Sequence, residues 1–131
     1  MSTSMSQSQS NDRSAEEQTT GISILIADNF EASGVAALEQ LGCTVDIDAS
    51  LEGDSLARMI EEKDPSVLIV RSTRVQEEAI KSGRSLSLIV RAGAGYDTID
   101  IASASAQGVS VANCPGMNAL AVAELAWGLI L

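Results

Sequence analysis

The residues of this chain that could do chemistry gather where short β-branched runs end. Arg71 closes SVLIVR, with Ser72 and Arg74 behind it; Arg91 nearly closes LSLIVRA and leads into Gly93-Ala94-Gly95; Asn118 follows VSVAN after a Cys-Pro-Gly turn. In an open parallel sheet, ligands bind beyond the carboxyl ends of the strands. Arg71, Arg74 and Arg91, three of the seven basic residues beyond the tail, would then share one edge. An arginine can grip a carboxylate or phosphate through two parallel hydrogen bonds. Glycines let backbone N–H groups approach an anion with no side chain in between. The pattern predicts a site for a small anion made by Arg71, Ser72 and the amides of Gly93, Ala94 and Gly95. The competing reading pairs Arg71 or Arg91 with a nearby Asp and leaves the glycines as a tight turn.

Other polar positions also carry two readings. Asn118 either caps the last helix or points into the same anion pocket, and a helix N-terminus itself attracts anions. Asp28 either is a metal or phosphorylation carboxylate or caps the loop after its strand. Glu124, alone on an apolar helix, is expected to pair with a buried Arg or a backbone group. GAGYDT is no dinucleotide fingerprint, because Thr98 stands where G-x-G-x-x-G needs its third glycine. Asp97 and Thr98 are expected instead to start and cap the next helix.

Composition removes several alternatives. The 131 residues carry a net charge of −10 and no histidine. So acidic a chain is repelled by phosphate backbones and anionic lipid, so neither nucleic acid nor a membrane surface is an expected partner. Without imidazole it cannot build a histidine base, a catalytic triad or a histidine metal site, and no metal is expected. Cys43 and Cys114 lie far apart in a chain with no secretion signal and are expected as reduced, buried or half-buried thiols of a cytoplasmic protein.

The elements that must position these residues are legible as alternation. Residues 1–21 contain six serines and almost no apolar side chains, and read as a disordered tail. From residue 22 onward, runs at 22–28, 43–48, 66–71, 86–92 and 109–113 read as five strands separated by helical patterns, which predicts an α/β fold with a parallel sheet. Val35, Leu38 and Leu41 would share one helical face; Leu56, Met59 and Ile60, with Lys63 at the margin, a second; Val75, Ala79 and Ile80 a third; Ile99, Ala102 and Ala106 a fourth. Gly42, Gly83 and Gly108 stand where helix C-caps are expected. The final ALAVAELAWGLIL is apolar on nearly all sides, too short to span a bilayer, and must be buried by something. Because the chain stops within this run, a continuation covering the helix is expected.

The series LIVRSTRV and LSLIVRAGAGYDTIDIASASAQGVSVANCPGMNALAVAELAWGLIL closely resembles the amino-terminal part of the NAD-dependent D-isomer-specific 2-hydroxyacid dehydrogenases, most of all their phosphoglycerate branch. The resemblance covers everything but the tail. It implies a flavodoxin-like domain of five parallel strands with flanking helices, residues 22–117 forming the first part of a substrate-binding domain. Residues 118–131 would begin the helix leading to an inserted Rossmann NAD domain. It implies substrate contacts at Arg71, Ser72, Gly93, Ala94, Gly95 and Asn118, with Ala94 near the nicotinamide end of NAD. Ala94 departs from relatives with Thr or Val there; Tyr96 and Thr98 replace a frequent Val and Asn.

The implied activity oxidises the 2-hydroxyl of a small anionic 2-hydroxy acid: foremost 3-phosphoglycerate to 3-phosphohydroxypyruvate, the first step of L-serine biosynthesis, and alternatively a glyoxylate or hydroxypyruvate reduction. The family's catalytic Arg, Glu and His and its glycine-rich NAD loop follow the last helix. No catalytic residue is therefore expected in this chain, which alone would be inactive, and the full-length protein is expected to be a homo-oligomer. A receiver-like signalling module of the same topology is the non-enzymatic alternative. It would need Asp and Lys at the ends of strands three and five, where Arg71 and Asn113 stand.

Overall fold

A computed structural model describes residues 21–93 and 97–130. The expected tail up to residue 20, together with Ala94, Gly95 and Tyr96, lies outside the described residues. Five strands form one all-parallel sheet: β1 (Ser23–Ile26), β2 (Thr44–Ile47), β3 (Val67–Val70), β4 (Leu88–Arg91) and β5 (Ser110–Asn113), in the order β2-β1-β3-β4-β5. Each lies inside its predicted run. Central β3 and β4 are buried along their whole length, as near-continuous Val, Leu and Ile allow, whereas edge strands β2 and β5 are partly exposed.

Side chains alternate across a strand, and here they feed two cores. Ile24, Ile26, Val67, Ile69, Leu88 and Val90 face α1 (Ala32–Gln40) and α5 (Ala119–Ile130), meeting Leu38, Val122, Ala123 and Ala126. Leu25, Leu68, Val70 and Ile89 face α2 (Gly53–Lys63), α3 (Glu77–Ser82) and α4 (Ile101–Ala106) on the other side.

Several local expectations are corrected. Val75 and Ile99 belong to no helix; they form an isolated parallel bridge, with Val75 N–H donating to Thr98 O at 2.8 Å and Asp100 N–H to Val75 O at 2.9 Å. Both backbones are thereby satisfied in extended form, so each helix starts later. Asp100, not Asp97 or Thr98, caps α4, its carboxylate accepting the Ser103 N–H at 3.1 Å. Ala104 is the residue α4 buries, while Ala102 and Ala106 are exposed. Leu41 lies beyond the last turn of α1 and is 37% exposed, leaving Leu38 and Gly34 as the buried face. Gly42 and Gly108 stand just past their helices with positive φ, and Gly83 is the C-cap of α3 as expected, though in extended form at φ −90°. Asp64, not singled out beforehand, ends α2 in the left-handed conformation at φ 48°.

On α5, Ala119, Val122, Ala123 and Ala126 are buried, covered by α1 and β4. The crossing with α1 is tight: a Cβ on Gly34 would lie 2.8 Å from Ala119 Cβ. The opposite side leaves Leu120 and Leu129 exposed. Glu124 is exposed too, and no hydrogen bond or ion pair of its side chain is found among the described residues, whereas a partner was expected. No helix among the described residues is long and apolar enough to cross a membrane.

Candidate functional site

The site is built outward from the end of β3, whose neighbours in the sheet are β1 and β4. Ladder bonds run to the strand ends and one step past them, with Ala27 N–H donating to Ile69 O at 3.0 Å and Ala92 N–H to Val70 O at 2.7 Å. Beyond that point side chains take over. Asp28, just after β1, accepts with a single oxygen, Oδ2, from three successive amides: Arg71 at 2.7 Å, Ser72 at 3.1 Å and Thr73 at 3.1 Å. Thr73 Oγ1 donates to Ala27 O at 2.8 Å. From the other side, Arg91 Nε donates to Arg71 O at 3.1 Å. The backbone of residues 71–73 is thus fixed while the side chains of Arg71 and Ser72 remain exposed.

The capping reading of Asp28 is the one the geometry supports, but the loop it caps follows β3 rather than β1. Partial burial pushes the Asp28 carboxyl up; the backbone amides of Arg71, Thr73 and Ser72, with the Thr73 side chain, outweigh it and hold the group below its ordinary value of 3.8. It is therefore a carboxylate at neutral pH, which is what three converging donors require.

The three arginines of the predicted edge do not act alike. Arg71 and Arg74 are exposed, but Arg91 is only 9% exposed and turned inward. Its Nη1 lies 4.0 Å from Asp97 Oδ1, a contact at the outer limit of an ion pair and with a carboxylate that is largely solvated. Arg91 consequently ties loops together rather than meeting an anion in solvent.

Gly93 starts the glycine turn directly against this loop. A Cβ added there would lie 3.5 Å from Arg71 O and 3.6 Å from Arg91 Cζ, ordinary contact distances. Arg71, Ser72 and Gly93 are therefore brought together, while Ala94 and Gly95 lie outside the described residues. Asn118 Oδ1 accepts the Ala121 N–H at 2.8 Å, which makes it the N-cap of α5. It sits on the same edge, but no hydrogen bond joins it to Arg71 or Ser72 among the described residues. Thr98 Oγ1 and Asn113 Oδ1 are buried with no partner among those residues.

A cavity of about 670 Å³ opens between Ser72–Arg74 and the β2–α2 connection at Ser50 and Glu52. It includes Ser72 but reaches neither Arg71 nor Gly93. Glu52 and Glu78 border it along with Arg74, which makes it a poorer place for an anion than the exposed Arg71 and the backbone of the glycine turn. No group of three or more Cys, Asp or Glu suited to a metal is found among the described residues. Cys43 and Cys114 are buried thiols, and burial pushes Cys114 up, away from the reactive thiolate.

Comparison with known proteins agrees with this architecture. The sequence profile of the D-isomer specific 2-hydroxyacid dehydrogenase catalytic domain matches residues 24–128. A hydroxypyruvate reductase of Thermotoga maritima is 49% identical over 82 residues, 62% of this chain and 26% of that protein. A D-3-phosphoglycerate dehydrogenase of Methanocaldococcus jannaschii is 37% identical over 111 residues, 84% of this chain and 21% of that one. Among solved structures, an NAD+-bound 3-phosphoglycerate dehydrogenase of Entamoeba histolytica superposes with a TM-score of 0.63 at 34% identity, covering 83% of this chain and 38% of the other. The chain spans between a fifth and about a quarter of the length of these two curated relatives.

Proposed function

We propose, starting from the fact that this chain belongs to the D-isomer-specific 2-hydroxyacid dehydrogenases, that it supplies the carboxylate-binding side of an active site that oxidises the 2-hydroxyl of a small 2-hydroxy acid. The substrate we assign is 3-phosphoglycerate, giving 3-phosphohydroxypyruvate and so opening the route to L-serine. The observation that carries the reading is the fixed backbone at 71–73 with Arg71 and Ser72 exposed beside Gly93. In it, the Arg71 guanidinium takes the substrate carboxylate in a forked pair of bonds, Ser72 donates its hydroxyl, and the amides of Gly93, Ala94 and Gly95 close over the anion. Asn118 contributes from the N-terminus of α5. Residues 22–117 are then the substrate-binding part, and 118–131 lead away from it.

NAD is the proposed cofactor of the whole protein, accepting the hydride from C2, but the residues present do not build its pyrophosphate site. Thr98 is tied into the Val75 bridge, and α4 begins with its first amides capped by the Asp100 carboxylate. Only Ala94 is assigned to the nicotinamide end. With no histidine in the chain, the base that takes the hydroxyl proton must also come from elsewhere. A cytoplasmic homo-oligomer is the proposed state of the whole protein; two buried thiols fit a reducing compartment.

Reduction of hydroxypyruvate is the second reading, favoured by the Thermotoga relative. Titrating the labelled chain with 3-phosphoglycerate, D-glycerate and inorganic phosphate separates the two. Saturable amide shifts at Arg71, Ser72 and Gly93 strongest with 3-phosphoglycerate support the first; equal response to D-glycerate supports the second; no response sinks the clamp. NADH production from 3-phosphoglycerate by the 131-residue chain alone is expected to stay at background, and clear turnover would contradict the assignment of the base and cofactor groups to other polypeptide.

A further inference from the structure

We propose that Asp28 and Arg91 are positioning residues: together they hold the Arg71 peptide at both of its polar ends and thereby set where Arg71 and Ser72 present their side chains to the substrate. The inference rests on the clamp reading above.

The Arg71 N–H is bound by Asp28 at 2.7 Å and the Arg71 C=O by Arg91 at 3.1 Å. These two side chains come from the ends of β1 and β4, the two strands that flank β3. Where the backbone ladder stops, a carboxylate on one side and a guanidinium on the other continue it. Three amides converging on one oxygen need an anionic acceptor; bonds to charged groups are roughly twice as strong as neutral ones. A loop ordered before binding spares the ligand the entropy of ordering it, and the gain appears as affinity. Neither Asp28 nor Arg91 needs to touch substrate for this.

The same device occurs at the opposite edge of the sheet, which supplies a control. Asp64, ahead of β3, accepts the amides of Arg84 at 3.1 Å and Ser85 at 2.9 Å, and the Ser85 hydroxyl at 2.8 Å. Removing that carboxylate costs comparable hydrogen bonds far from the clamp.

The test uses the 15N-labelled 131-residue chain, with 3-phosphoglycerate as the probe, reading Kd from amide shifts, amide exchange at residues 71–73 and the melting temperature. Asp28→Ala is expected to weaken binding at least about tenfold and to speed amide exchange at Ser72 and Thr73. Asp28→Asn keeps one carbonyl oxygen where Oδ2 sits but loses the charge, and is expected to fall between the two, binding several-fold more weakly than the parent and better than Asp28→Ala. Arg91→Lys keeps the charge but loses the rigid fork, and is expected to weaken binding several-fold. Asp64→Ala is expected to lower the melting temperature as Asp28→Ala does while leaving Kd unchanged.

Unchanged affinity in Asp28→Ala and Arg91→Lys overturns the inference. So does an equal loss in Asp64→Ala, which would mean that affinity follows general stability. Should Asp28→Ala fail to fold, Asp28→Asn and Arg91→Lys decide, and parental affinity in both overturns it. A parent chain with no saturable response overturns the clamp itself, which is a distinct result from a parent that binds and variants that bind equally well.

Discussion

Arg71 divides its work between backbone and side chain: the backbone is held by Asp28 and Arg91 just beyond the sheet, and the side chain is exposed. Arg71→Ala is therefore expected to weaken binding of 3-phosphoglycerate by about 1.5 to 3 kcal/mol, the worth of a charged hydrogen bond. The same change leaves the melting temperature nearly untouched, and titration calorimetry beside a thermal melt checks both halves. Arg71, Ser72 and Gly93 were legible in the sequence because a strand-end rule and an anion-binding residue type coincide there. The partners of the loop were not. Asp28 lies 43 positions from Arg71 in sequence and acts through backbone amides, which every residue has and no sequence advertises. Arg91 was counted with the edge cations because its residue type does not disclose that its side chain turns back onto Arg71 O.

At the scale of elements, strands were easier to place than helix starts. β-branched runs bounded by glycines leave little choice, whereas Val75 and Ile99 satisfy helical periodicity as well as a bridge, and only their mutual pairing across two loops decides. Leu41 and Ala102 fell off their helical faces for the same reason, since a shift of two residues in a short helix turns a buried position outward. The closest helix contact gives the next prediction. Gly34→Val places carbon where Phe30 and Ala119 already stand, at 2.5 and 2.8 Å from a Cβ. It is expected to push α5 off α1 and to destabilise the chain by about 1–3 kcal/mol, as overpacking does. Trp127, half-buried on α5 and the sole tryptophan, reports the event as a red shift in emission. Loss of stability without that shift would place the strain elsewhere.

For the whole molecule, acid is the informative variable. Asp28, Asp48, Asp64 and Asp100 are all held below the ordinary carboxylate value of 3.8: Asp28 by amides that outweigh its burial, the others mainly by hydrogen bonds from Ser50, Ser85 and Ser103. Since the unfolded chain takes up these protons first, their contribution to stability is complete above that value and is lost as pH falls through the lower folded values. The urea midpoint is expected to drop between about pH 5 and pH 3, and Asp64→Asn should flatten that limb. A parent midpoint flat across this range would mean that these carboxylates do not cap loops in solution. The two-sided core and the parallel sheet followed from composition and alternation, because Val, Ile and Leu in short runs can be buried on both faces only between helices, whereas the order of the strands is not written in that alternation.

The Val75–Ile99 bridge carries a consequence for rates. Loop 71–74 leaves the sheet beside the start of the glycine turn and is pinned again where Val75 meets Ile99, just past that turn's exit. The segment from Arg71 to Val75 is thus held at both ends before any ligand arrives. Association should be fast and nearly the same in every variant that keeps the bridge, so that the differences in affinity among them are set by how long the anion stays.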